Sequence, residues 1–72
     1  MEAVVVSAIN VNIDDHFLLA GVLCKTRLVK RVSDDIVEIQ FINAAKRYTD
    51  DGGAAIQTLS VHRHTALQVF RS

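Results

Sequence analysis

Three adjacent aspartate pairs, Asp14–Asp15, Asp34–Asp35 and Asp50–Asp51, hold six of the eight acidic residues and cut the chain into segments of similar length. Aspartate is poor inside strands and helices. It is favourable in turns and caps, where its carboxylate accepts hydrogen bonds from nearby backbone N–H groups. The pairs are therefore expected to mark connections between regular elements. A cation site is the competing reading, but the oxygen-rich loop spacing of an EF-hand is absent. The third pair precedes Gly52 and Gly53, residue types that tolerate the positive φ of a tight turn. The same two acids would repel a phosphate at that loop.

The segments between the pairs carry mostly a period of two. In the first, Val5, Ile9, Val11 and Ile13 share one side and Asn10 and Asn12 the other, which predicts one strand from Ala3 to Ile13. Val37, Ile39 and Phe41 alternate with Glu38 and Gln40, a second strand. Leu59 and Val61, then Leu67 and Val69, share a face further on. Two segments read both ways. Across 16–32, Leu18, Ala20, Val22, Cys24, Leu28 and Val32 make a strand face, but Phe17, Gly21, Cys24, Leu28 and Val32 make a helical stripe that Asp14 or Asp15 could cap. Across 54–70, Ile56, Leu59, Arg63, Ala66 and Phe70 follow helical spacing. The reading adopted is mainly β, a small antiparallel meander or partly closed barrel of roughly four to five strands. The alternative is α+β with a helix at about 16–31.

Size limits what such a sheet can do. The 72 residues contain no proline and three glycines, and are expected to form a single small globular domain spanning 1–72. A chain of this length buries only ~60% of the surface its unfolded form exposes, so an isolated core is marginal. The single cysteine, Cys24, cannot make an internal disulfide, which suits a reducing compartment. The longest apolar run, Phe17–Cys24, is far shorter than the ~20 residues that cross a bilayer. No signal or transit peptide is expected, and the expected location is the cytoplasm, with no membrane partner. Zero net charge removes the general electrostatic case for nucleic acid.

Assembly offers one way to strengthen so small a core. On the strand reading, Phe17, Leu19 and Leu23 make the opposite face of the second segment apolar as well, so that this part needs cover on both sides. A second copy of the chain is the expected cover, and these three residues are the expected oligomer interface. A strongly curved barrel bent at Gly21 is the alternative.

Chemistry-bearing residues are few. Lys25, Arg27 and Arg31 fall on one side of a strand, where residues two apart are ~6.6 to 6.8 Å apart, close to the phosphate spacing of a single nucleic-acid strand. Lys46 and Arg47 would extend this row, with Tyr48 as the only aromatic beside it. The competing readings are a solvated, aggregation-resistant edge or an acidic protein partner. His62 and His64 form a His-x-His pair able to place two imidazoles on one metal, with the remaining ligands unspecified. The serines lie in no nucleophile elbow and no Gly-rich phosphate loop occurs. The expected function is therefore a non-enzymatic binding or regulatory module acting as a homo-oligomer, without a cofactor. The alternatives are a nucleic-acid-binding module using the basic row and a small metal-dependent enzyme using the histidines.

Overall fold

In the computed structural model, which describes residues 1–45 and 56–72, the chain forms six strands. They are β1 (Glu2–Ser7), β2 (His16–Leu19), β3 (Val22–Arg31), β4 (Ile36–Asn43), β5 (Gln57–His62) and β6 (Ala66–Arg71). All pair antiparallel in one sheet of order β1-β6-β2-β3-β4-β5. The fold is thus mainly β, as the period-two patterns indicated. The helix expected as the alternative at 16–31 is replaced by the β2–β3 hairpin, and among the described residues no helix is long and apolar enough to cross a membrane.

The sheet is curled but not closed into a barrel. Its curl follows from connectivity, because β5 lies at one edge and β6 second from the other, yet only residues 63–65 separate them. That corner is tied on both sides: the Arg63 N–H donates to the Asp35 carbonyl at 2.7 Å, and the Arg63 carbonyl accepts from the Ile9 N–H at 3.0 Å. Curling brings one face inward. Val37, Ile39 and Phe41 of β4 point there and are buried, together with Ala8, Val11, Phe17, Cys24 and Val69. The rings of Phe17 and Phe41 meet edge to face at 5.3 Å. Leu59, Val61 and Leu67 pack against this cluster, as their expected common face requires.

Three sequence expectations are corrected. The first strand ends at Ser7, not Ile13, because Ala8–Asn10 form a 3-10 turn that hooks onto the 63–65 corner. Its inward residues are consequently Val4 and Val6, while Val5, Ile9 and Ile13 are exposed. The second segment is two strands rather than one, turned by Ala20 (φ 51°) and Gly21 (φ 78°) between the facing residues Leu19 and Val22. Positive φ at both central residues is the signature of a type I′ hairpin. Finally, the register of β3 against β4 shifts between Thr26 and Leu28, so Arg27 has no partner across the ladder. Such a bulge reverses which alternate residues face inward. Cys24 and Thr26 are buried before it, and Val29 packs on the core after it.

The aspartate pairs act as connections in both places where they are described. Asp15 accepts a hydrogen bond from the Asn12 N–H at 2.8 Å, and Asp14 takes a positive φ of 74°. Asp34 and Asp35 lie in the bend between β3 and β4. The turn expected at Asp50–Asp51 lies outside the described residues.

Candidate binding surface

The bulge decides the fate of the basic row. Lys25 stands opposite Ile42 before it and Arg31 opposite Val37 after it, and Val37 is an inward residue. Lys25 and Arg31 therefore occupy opposite faces of the sheet, with Arg27 exposed at the bulge between them. The charges are also compensated locally. Lys25 Nζ is 3.5 Å from Asp14, and the Arg31 guanidinium is 3.4 Å from Asp34 while donating to the Ser33 carbonyl at 3.2 Å. Lys30 faces Glu38 across the ladder. The continuous row expected from a straight strand does not form. Lys46 and Arg47 lie outside the described residues.

The proposed interface set separates in the same way. Phe17 is buried in the chain's own core and has no surface to offer a partner. Leu19 is 38% exposed at the tip of the β2–β3 hairpin, and Leu23 is half-buried opposite the exposed Leu18. A two-residue turn pairs Phe17 with Cys24, so that odd residues of β2 share a face with even residues of β3. Reading 16–32 as one strand concealed this.

His62 and His64 do come together, with ring centroids 5.6 Å apart. They sit at the end of β5 and in the following corner, not along one strand. His62 Nδ1 already accepts the backbone N–H of His64 at 3.2 Å. Among the described residues no three His, Cys, Asp or Glu side chains gather as a metal site. Cys24 is a free buried thiol whose pKa is raised by the loss of hydration on burial, which favours the neutral thiol over the thiolate. It lies on a hollow of about 270 Å³ with Leu19, Val22, Phe41 and Gln57 among its walls.

A shallow groove of about 620 Å³ opens between the stretch Ile9–Ile13 and the end of β3. Ile9, Val11, Ile13, Leu28 and Val29 supply its apolar walls, with Asn12 and Arg31 as the polar ones. The groove exists because the 3-10 turn carries the chain away from β1 toward the bulged end of β3. Sequence reasoning missed it. Its residues are distant along the chain, and the only local sign was two isoleucines set among asparagines and aspartates in "AINVNIDD".

No protein-family model matches the chain, and no curated protein or solved structure does either.

Proposed function

We propose that the chain is a non-enzymatic binding or regulatory module that acts as a homo-oligomer. The supporting observation is how much apolar side chain its own fold leaves uncovered, and where. Ile13 is 59% exposed and Leu28 42%, and with Ile9 they converge on this groove, so they are not the singly scattered apolar residues of an ordinary surface. An apolar segment or ligand is the chemistry such a groove receives, and Arg31 at its wall adds a donor for a carboxylate. Small domains with thin cores commonly gain the missing burial from further copies.

Light scattering coupled to size-exclusion chromatography tests the assembly. At micromolar concentration the mass should be at least twice 8.0 kDa. A monomer unchanged by a hundredfold increase in concentration would overturn the homo-oligomer.

A further inference from the structure

We propose that the free edge of β1 is the seam of a two-fold homodimer in which Val5 of one copy lies opposite Val5 of the other. This rests on the homo-oligomer reading and assigns the surface responsible.

The orientation of the β1 backbone carries the argument. Strand β1 pairs with β6 from Glu2↔Arg71 to Ser7↔Ala66, and its other side has no strand beside it in the sheet of described residues. One residue beyond, the Ala8 N–H donates to the Thr65 carbonyl at 2.8 Å, which continues the same register. Hydrogen-bonded and non-hydrogen-bonded pairs alternate along an antiparallel ladder. With Ala8 in a hydrogen-bonded pair, the even-numbered residues of β1 turn their backbone groups to β6. Ala3, Val5 and Ser7 then present N–H and C=O groups to the free edge.

Nothing on that edge deters pairing. Natural sheets protect exposed edges with lysine, proline, bulges or very short strands. β1 reads Glu-Ala-Val-Val-Val-Ser, with its one charge at the end and an unbroken register. The other outer strand differs. In β5 the Arg63 bond to Asp35 sets the opposite alternation, so the residues turned outward are Thr58, Ser60 and His62, whose side chains are polar.

Self-pairing about a two-fold axis also selects a register. Inner faces stay on one side only if each residue meets one of the same parity. Centring on Val5 sets Ala3 against Ser7, Val4 against Val6 and Val5 against itself, so every outward backbone group of Ala3, Val5 and Ser7 finds a partner. Val4 and Val6, which pack at the margin of the core, would be continued by their counterparts in the second copy. Val5, 69% exposed in the single chain, would gain the partner's Val5 as its cross-strand neighbour on the outer face. Centring on Val4 instead would place the Glu2 carboxylate against Val6.

The test uses the full chain with Cys24→Ala, so that a new thiol is the only one. At the proposed axis position 5 is a hydrogen-bonded pair whose Cα atoms are ~5.5 Å apart, inside the ~4.4 to 6.8 Å range that a disulfide spans. Val5→Cys should give a covalent dimer under mild oxidation, and Ser60→Cys on β5 should not. Val5→Pro removes an outward N–H without touching the β6 ladder, a placement that edge strands tolerate. It should yield a monomer whose circular dichroism matches wild type, and Val5→Lys should do the same. An oligomer that survives both substitutions, with Val5→Cys uncrosslinked, would overturn the seam and leave the homo-oligomer standing. A monomeric wild type would overturn both.

Discussion

Arg71 grips Asp15: its Nε donates to both carboxylate oxygens, at 3.0 and 3.1 Å, and its terminal nitrogen donates to Asp15 at 3.1 Å and to the Asn10 carbonyl at 2.9 Å. The contact joins the end of β6 to the loop before β2, elements held to each other by a single ladder pair, His16↔Phe70. Asp15 is 4% exposed, so its carboxylate relies on these donors and on the Asn12 N–H in place of water. Removing one partner of such a pair strands the other.

Asp15→Ala should therefore lower stability by about 2 to 3 kcal/mol, below the full cost of a buried pair because Arg71 can turn to solvent. Asp14→Asn, which removes the charge from an exposed pair with Lys25 but keeps a residue that accepts the positive φ there, should cost under about 1 kcal/mol. Urea unfolding monitored by circular dichroism would show the two midpoints, and equal midpoints would contradict the assignment.

The β2–β3 turn leads to a stabilising prediction. Ala20 has a φ of 51°, a left-handed conformation that disfavours a residue with a Cβ, and Asn is the residue that best accepts it in a type I′ turn. Ala20→Asn should raise stability by about 0.5 to 1 kcal/mol. Gly21→Ala should lower it by about 1 kcal/mol through backbone strain alone, since a Cβ at Gly21 would meet nothing within 4 Å. Thermal unfolding of both variants at matched concentration measures the signs.

These two features also show what could be read from the chain. Strand β4 was legible because its alternation runs unbroken from Val37 to Phe41 and one side is buried throughout: Val37, Ile39 and Phe41. So were Leu59, Val61, Leu67 and Val69. The parity of β1 was not legible because Val4, Val5 and Val6 give no alternation of their own, and the alternation that suggests a phase, Ile9 to Ile13, starts inside the 3-10 turn that ends the strand. The hairpin at Ala20–Gly21 lacked the Asn-Gly signal that marks such turns. The bulge at Arg27 has no sequence signature, and it undid the basic row, which depended on counting by two across it.

The loss of that row bears on nucleic acid. With Lys25 and Arg31 on opposite faces and each beside an aspartate, single-stranded RNA or DNA should bind no more tightly than about 10 μM at physiological salt. Arg27→Glu combined with Arg31→Glu should leave circular dichroism unchanged. Fluorescence anisotropy across a salt series is the measurement. Tight binding that falls steeply with salt and is abolished by the double reversal would restore the nucleic-acid reading.

Cys24 supplies a pH dependence. Burial raises its pKa in the fold above that of the unfolded chain, so the stability it contributes is complete below the unfolded thiol's pKa and is lost as pH rises through the folded one. Urea midpoints should fall on the alkaline side of the ordinary thiol range, and Cys24→Ala should flatten that fall. In the native state at pH 8 the thiol should react with a thiol reagent far more slowly than after unfolding. Equal rates would place Cys24 at the surface.

The bulge makes a final prediction in which two single-residue deletions have opposite consequences. Thr26 faces Phe41 and Leu28 faces Gln40, so deleting Arg27 leaves Thr26, Leu28 and Val29 in perfect alternation, with every inward residue still inward. The ladder would become regular and lose only the local twist that a bulge adds. Deleting Ser60 from the unbroken ladder of β5 has no such escape. Either Leu59 or Val61 must turn outward, and Thr58 or His62 must turn inward in its place. Each apolar side chain lost from the core is worth about 1.5 to 3 kcal/mol at full burial, and a polar group enters without a prepared partner. Arg27 deletion should hence shift stability by no more than about 1 kcal/mol, and Ser60 deletion should cost well over about 2 kcal/mol, a large share of the ~5 to 15 kcal/mol that holds a small domain folded. Urea midpoints of the two deletions decide it. An unfolded Arg27 deletion beside a stable Ser60 deletion would show that β3 runs straight and that its basic residues share a face after all.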